Sequence, residues 1–579
     1  MHDGHPFNAP LPPIPFLVGI SGHRALLPAA VPALRAALRR ELTAVHGTGA
    51  PVTVLSALAD GADRLAAEVA WELGLAVVAV LPMPQDDYRQ DFDAASDAWF
   101  LAALPRCQRV VALPWVAERR ERNEQYVALA AYLMAHSQVL VALWDGAEGL
   151  AASTPCLPGG TADVVRRHLS GDLPVHGAPE RMLDLESQGV VLHLVAPRHD
   201  RPAPAQPAGT AAWLSTGHDG TAARLRVEQA RQRLALLNRD LAVERAAALT
   251  TTGDAEVDTQ LNGLRRRLAA CDAMAARLQL TVMGQVPRPD RANWRAQLRH
   301  GGLAQWIACL ALVGVLLQEG SGIWLPSAWW VAPLCGLLGA VAYALVLMTW
   351  RLDLHGRYLD YRALAEGLRV QLWWRVAGVD EVVSDHYFHR QRGSADWLRL
   401  VLRALAQELP PGRTVVPDHA RILVQTGWLV DQQTYFVQAA ARARWNLKRL
   451  RRWGVSLLGI SLLLMVAKAV IGTWAGPALP AVIAAVQFTA AILLGYSGVQ
   501  SLAEHANAYQ RMGDIFARAI TWCGTGADLA AVARETGREA LAENAAWLQV
   551  HRQRPVEFGR SGLMVKVLGA VGRLRAGRR

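Results

Sequence analysis

Two stretches of the chain are almost unbroken runs of apolar residues, and both are paired. Residues 303–317 and 329–350 flank the polar turn QEGSGIWLPSA; residues 453–471 and 478–499 flank the short uncharged turn GTWAGP. A helix needs about 20 apolar residues to cross ~30 Å of hydrocarbon, which 329–350 supplies and 303–317 supplies only with help from its flanks. Lys468, near the end of the third run, is placed to snorkel to an interface. Basic residues stand outside each pair and not between its members. Arg288, Arg291, Arg295 and Arg299 precede the first pair and Arg351 and Arg357 follow it, while Arg442, Arg444, Lys448, Arg449, Arg451 and Arg452 precede the second. By the positive-inside rule the outer ends face the cytoplasm, and Trp306, Trp324, Trp329, Trp330 and Trp350 fall where indoles favour an interface. The alternative is a buried helical hairpin in a large soluble protein, against which the length of the uncharged run counts.

Residues 16–195 show a different pattern. Short apolar runs at 16–21, 52–56, 76–81, 109–113, 139–144 and 189–195 read as strands, and helical patterns at 31–45, 60–73, 123–136 and 160–169 lie between them. Strands alternating with helices predict a parallel α/β sheet, whose ligands sit at the carboxyl ends of the strands. Three loops there have chemistry suited to an anion. Ser21, Gly22, His23 and Arg24 follow the first strand, with a fixed cation at Arg24; Ser56, Asp60, Gly61 and Asp63 follow the second and open a helix. Pro158, Gly159, Gly160 and Thr161 run into another helix start. For each loop alone an ordinary turn explains the glycine equally well. Three at strand ends of one domain favour a nucleotide-like ligand. His23 and His136 read more readily as satisfied polar histidines than as general bases, and Asp145 either meets ligand or caps its turn.

The segments GISGHR, SALADGADRLA, RNEQYVALAAYLMAHSQVLVALWDG and LPGGTADVV, in that order over about residues 14–198, resemble the SLOG superfamily, a Rossmann-like group that includes the LOG phosphoribohydrolases and DprA. The resemblance implies binding of a nucleotide or nucleotide-derived molecule, with Ser21, Gly22, Arg24, Asp60, Gly61, Asp63, Gly159, Gly160 and Thr161 at matching positions. The hydrolase branch carries a PGGxGTxxE pattern with a catalytic Glu. Here Thr161 follows the glycines directly and the third residue beyond it is Val164, with Asp163 out of register. That departure favours a sensor over a hydrolase and leaves Asp60 and Asp163 as the weak catalytic candidates.

Beyond a Pro/Ala-rich linker at 199–219, Val227, Ala230, Leu234, Leu237 and Leu241, then Leu261, Leu264, Leu268, Cys271, Ala275 and Leu278, keep helical spacing. These helices pair with each other or with another chain. The remainder divides into two helical domains, 220–376 and 377–557, each carrying one apolar pair, and a basic tail at 558–579 that lies on an anionic surface or is disordered. The halves look like distant copies: Tyr361, Arg362 and Glu366 after the first pair correspond to Tyr509, Arg511 and Asp514 after the second. CDAMAARLQ, GWLVDQQTYFVQAAARARWNLKRLRRW and GREALAENAAWLQVHRQRPVE, over roughly 220–557, resemble the SLATT domains, two-helix membrane modules found with SLOG domains. That resemblance implies a membrane pore or permeabilising effector in bacterial conflict systems.

Composition narrows the field. A mean hydropathy of +0.14 is too low for a chain that is mostly membrane, and 19% charged residues in 579 leave room for large soluble parts. The net charge of +11 is concentrated beside the apolar runs and in the tail, which favours lipid headgroups over nucleic acid. Cys107, Cys156, Cys271, Cys309, Cys335 and Cys523 have no metal-ligand spacing and read as reduced thiols. The N-terminus lacks the pattern of a cleaved signal peptide. No metal or cofactor is expected. The apolar runs hold no acidic residue, which points to a passive pore or an anchor and away from an ion-coupled transporter.

The expectation is therefore an α/β Rossmann-like parallel-sheet domain followed by an all-α membrane region with two transmembrane hairpins and long cytosolic helices. The protein is expected in the bacterial inner membrane with both termini cytoplasmic, as a homo-oligomer. The leading function is a sensor-effector whose α/β domain binds a nucleotide-derived signal and controls the hairpins; the rivals are a tethered LOG-like hydrolase and a non-catalytic scaffold.

Overall fold

The computed structural model describes residues 11–46, 50–115, 121–146, 156–170, 189–215, 220–243, 255–283, parts of 306–318, 328–388, 395–407, 417–471, 478–499 and 502–553. Most of the first apolar run, the stretches ahead of it and the basic tail lie outside them. The chain forms two compact units, Met1–Arg245 with Val382–Pro410, and Ala246–Glu381 with Pro411–Arg579.

The first unit is built on a seven-stranded sheet. Its chain order is β1 (Phe16–Gly22), α1 (Val31–His46), β2 (Val52–Ser56), α2 (Ala62–Glu72), β3 (Ala76–Leu81), α3 (Gln85–Tyr88), α4 (Ala94–Ala103), β4 (Arg109–Ala112), α5 (Arg122–His136), β5 (Val139–Trp144), α6 (Thr161–Ser170), β6 (Val191–Val195), β7 (Ala211–Leu214) and α7 (Gly220–Val243). Strand order across the sheet is β4-β3-β2-β1-β5-β6-β7, parallel except for β7. Residues of β2 and β5 are buried throughout, as covering helices on both faces require. The chain runs outward from β1 to β4, then returns to lay β5 against the other side of β1. That reversal opens a crevice between the carboxyl ends of β1 and β5, the usual ligand position in open α/β sheets.

Three features depart from the sequence reading. The stretch read as a linker contains β7, which pairs antiparallel with β6 through Leu192 and Trp213, so the sheet continues past residue 198. The two amphipathic helices, expected to pair with each other or with another chain, have different partners within the chain. α7 belongs to the sheet unit, where Asn238 exchanges hydrogen bonds with both the N–H (2.8 Å) and C=O (2.9 Å) of Ile14, whereas α8 (Ala255–Met283) packs on a helix of the second unit. Finally, Val382–Pro410, read as part of the second helical domain, joins the sheet unit. Its helix buries Trp397, Leu398, Val401, Leu402 and Leu405, and Arg403 donates to the Ala135 carbonyl of α5 at 2.8 Å.

The second unit is helical: α8, α9 (Val331–Leu352), α10 (Leu354–Ala377), then, after α11 (Asp396–Gln407) in the first unit, α12 (Pro417–Val424), α13 (Asp431–Ile471), α14 (Ala478–Val499), α15 (Leu502–Gly524) and α16 (Leu529–Gln553). A left-handed residue, Asp353 (φ 45°), separates α9 from α10, and a π-helical turn, Gln425–Val430, joins α12 to α13. α10 is the centre of this unit, packing on α8 and α16 and burying Tyr358, Leu364, Leu368 and Trp374. α13 and α14 lie together closely enough that a Cβ on Gly454 would come within 2.6 Å of Leu494 Cγ. α9 and α13 each carry a segment long and apolar enough to cross a membrane.

Candidate functional site

The sheet brings the three sequence-predicted loops together at the β1–β5 crevice, and glycine does much of the joining. Gly61 has φ +76°, and a Cβ there would stand 2.2 Å from the Arg24 carbonyl oxygen and 2.5 Å from that of His23. Gly22 leaves room for Ala62 Cβ, which an added Cβ would approach to 2.3 Å. Gly159, with φ +74°, lets the third loop settle on the backbone of Tyr126 in α5. All three glycines serve contact between protein segments, where the sequence suggested approach to a ligand.

His23 ties the loops to the sheet. Its N–H donates to the Leu143 carbonyl at 3.1 Å and its own carbonyl accepts from Ala62 N–H at 3.0 Å. Its ring Nε2 lies 3.2 Å from the Asp145 amide and 3.3 Å from Asp145 Oδ1. Both residues are thereby held at the switch point, with Asp145 nearly buried. His136 is remote from this pair. Its Nδ1 is 2.7 Å from the Tyr132 carbonyl, and burial, aided by Arg403, pushes its pKa down to about 3, so the ring is neutral.

The polar candidates divide into two sets. Ser56 and Asp63 are internal scaffolding. Ser56 Oγ and the Ala57 amide both donate to Asp63 Oδ1 at 3.1 Å, and the Leu58 amide donates to Ser56 Oγ, which holds Leu58 in the left-handed region at φ 56°. Burial pushes the Asp63 carboxyl up to about 6 against the opposing pull of these donors and Arg24. Asp163 is likewise committed. Oδ2 accepts from the Gly159 amide at 3.0 Å, and Oδ1 accepts from Arg166 at 3.0 Å and Arg167 at 2.9 Å. Burial would raise its pKa, but the amide and the two guanidinium groups outweigh it and the net shift is downward.

Ser21, Arg24, Asp60 and Thr161 form the second set, at the surface or half-buried. No described residue hydrogen-bonds the side chains of Ser21, Asp60 or Thr161. Arg24 uses one of its five donors on Tyr126 Oη, at 2.8 Å. Thr161 opens α6, whose first-turn amides precede the first helical bond, from Val164 to Gly160, and so point outward at an anion-compatible helix start. Tyr126 in turn donates to Asp91, which Arg122 pairs at 2.7 Å. The sequence reading missed Asp91, Arg122 and Tyr126, and Tyr88, whose hydroxyl donates to the Ala57 carbonyl at 3.2 Å. Tyr126 and Arg122 lie in the quoted α5 segment, but their partners are far away along the chain.

What emerges is a crevice with one guanidinium held from behind, a carboxylate, two hydroxyls and a helix N-terminus. Among the described residues, no group of His, Cys, Asp and Glu side chains could hold a metal ion. No protein-family model matches the chain, and no curated protein matches it in sequence.

Proposed function

We propose that this protein is a membrane sensor-effector: the sheet unit binds a nucleotide-derived anion at the β1–β5 crevice, and binding alters membrane-embedded helices of the second unit. The observation that carries the membrane half is exposure. Only 6% and 11% of the most apolar windows of α9 and α13 are buried, so these are not core helices. Leu463 is 70% and Val470 81% exposed, and Leu458, Ile460, Leu462, Met465 and Val466 are exposed beside them. A continuous apolar surface of this kind needs lipid or another subunit to cover it. Supporting the hairpin arrangement, Cys335 of α9 approaches the Gly314 carbonyl in the first apolar run at 3.5 Å, and Gln487 of α14 meets Met465 of α13 at 3.4 Å.

The sensor half is supported by Arg24 and its neighbours, a set that matches one phosphate and one ribose-like hydroxyl donor. Coupling has a route in the chain itself. α5 carries Tyr126 at one end and, at the other, the Ala135 carbonyl that Arg403 grips. Arg403 also pairs with Asp385 and bonds Ser384 Oγ at 3.0 Å. The gripped segment lies between α10 and α12 in the chain, which gives the two units a covalent connection on either side of it. The engagement of both Asp163 oxygens weighs against the hydrolase alternative.

The test is dye leakage from liposomes holding the purified protein, scanned against a panel of nucleotides and their cyclic and ribosylated derivatives. Leakage triggered by one compound and lost in Arg24→Ala joins sensor to effector. Consumption of the compounds without leakage overturns the reading in favour of a tethered enzyme.

A further inference from the structure

The second unit contains a cavity of its own. α8, α10, α13 and α16 line an open cleft of about 460 Å³, a volume typical of small-molecule sites. Two arginines of α10 line it, seven residues or two helical turns apart on the same face, and their situations differ. Arg369 is neutralised: Asp272 accepts from it at 2.8 and 2.9 Å, and Glu366 pairs with it as well. Arg362 has no carboxylate partner within ion-pair distance among the described residues. It donates to Tyr358 Oη at 3.3 Å, and its Cζ stands 4.2 Å from the centroid of a Trp547 ring.

Arg362 is half-buried, and most of its five N–H donors are left to meet whatever enters the cavity. Here it faces an aromatic wall, in which Tyr435 and Phe436 meet edge to face at 5.2 Å. We propose that the cavity binds a small organic anion, with one carboxylate or phosphate group on the Arg362 fork and a flat apolar body against the rings of Tyr435 and Phe436. This site lies wholly in the helical unit and does not depend on the sheet crevice.

Glu543 of α16 lines the same space and sets the polarity of the response. Burial pushes its carboxyl up to about 7, opposed by Arg362, reinforced by Glu366 and opposed again by Arg511. The other charged or titratable groups around it are Asp272 from α8, Tyr358 and Arg369 from α10, Tyr435 from α13 and Tyr509 from α15. An ionised Glu543 repels an incoming anion and a protonated one does not. Anion binding therefore tightens as pH falls through about 7. Arg362 and Glu366 of α10 and Arg511 of α15 all act on Glu543, and Tyr509 of α15 feels it in turn.

The experiment is calorimetric titration of the full chain in nanodiscs with benzoate and with phenyl phosphate, using benzyl alcohol as the uncharged control. Saturable binding of at least one anion, weakened about tenfold or more in Arg362→Gln, is the expected result. Benzyl alcohol binding equally well, neither anion binding, or unchanged affinity in a folded Arg362→Gln overturns the site. If Arg362→Gln does not fold, Glu543→Gln decides: it should bind benzoate more tightly above pH 7 and flatten the pH profile, and a wild-type profile in that variant overturns the proposal. The titration reads neither nucleotide nor leakage, so its failure and that of the sensor-effector reading are separable.

Discussion

The guanidinium of Arg24 donates to the hydroxyl of Tyr126 at 2.8 Å, linking the loop after β1 to a helix 102 residues further along the chain. The same hydroxyl donates to Asp91, so Tyr126 fixes where the exposed cation points. Removing that hydroxyl leaves Arg24 in place but mobile. Tyr126→Phe should weaken nucleotide binding by roughly 3- to 10-fold, the worth of about 1 kcal/mol of hydrogen bonding, with little change in melting temperature. Arg24→Ala should cost more in binding and no more in stability; equilibrium titration beside thermal melting separates the two.

Gly61 and Gly74 both adopt positive φ, at +76° and +70°, but only Gly61 is crowded. A Cβ on Gly74 meets nothing within 4 Å, whereas on Gly61 it would strike the carbonyls of His23 and Arg24. Gly74→Ala should therefore cost only the backbone term, about 1 kcal/mol. Gly61→Ala should add a steric term, take the total to roughly 3 kcal/mol or more, and pull the β1 and β2 loops apart. Equal losses in chemical denaturation would contradict the close contact of these loops.

Asp63 makes a pH prediction whose sign follows from burial. Its folded pKa, about 6, is above that of an unfolded aspartate, so the folded chain binds the proton more tightly. Between roughly pH 4 and 6 the unfolded chain gives up this proton first, and the contribution of Asp63 to stability falls as pH rises. Asp63→Asn keeps an acceptor for Ser56 and Ala57 and removes the buried charge. The variant should match wild type near pH 4 and exceed it by roughly 1–3 kcal/mol at pH 7.5. A variant less stable at both values would show that the ionised carboxylate is what the loop requires.

Much of this architecture was legible in the sequence, and the parts that were not share a cause. β1, β2, β3 and β5 are short, mostly apolar runs bounded by turns, so local pattern suffices to place them. β7, with the sequence AAWL, follows a Pro/Ala-rich stretch and is a strand only because β6 has an open edge to pair with. The loops at the crevice were visible as motifs, yet which polar residues face outward was not. Asp63 and Asp163 resemble Asp60 in sequence, and only the donors around them show that they hold the loops together. Arg403 was invisible for the same reason, because its partner lies 268 residues earlier.

That long-range contact gives a prediction about coupling. Arg403 holds α5 to the segment between α10 and α12 through the Ala135 carbonyl, and pairs with Asp385 within that segment. Arg403→Ala should leave nucleotide binding within about twofold of wild type and sharply reduce ligand-triggered leakage. The readout is the ratio of leakage to occupancy. Loss of binding and leakage in parallel would place Arg403 in the stability of the sheet unit instead.

The exposed apolar face of α13 is the strongest test of where this protein resides, because the two environments give opposite answers for one substitution. In water, replacing the 70%-exposed Leu463 by arginine removes an apolar side chain from solvent and should change stability by no more than about 0.5 kcal/mol. In a bilayer the same change puts a charge about ten residues into an apolar segment, at about 2.5–3.5 kcal/mol on the insertion scale, before any snorkelling. Leu463→Arg should therefore lower the fraction of chain that resists alkaline carbonate extraction. Trp445→Arg, on the basic side of the same helix and 59% exposed, should leave that fraction unchanged. If both variants remain as extractable as wild type while solubility rises in Leu463→Arg, the face is covered by another protein surface and the membrane assignment falls.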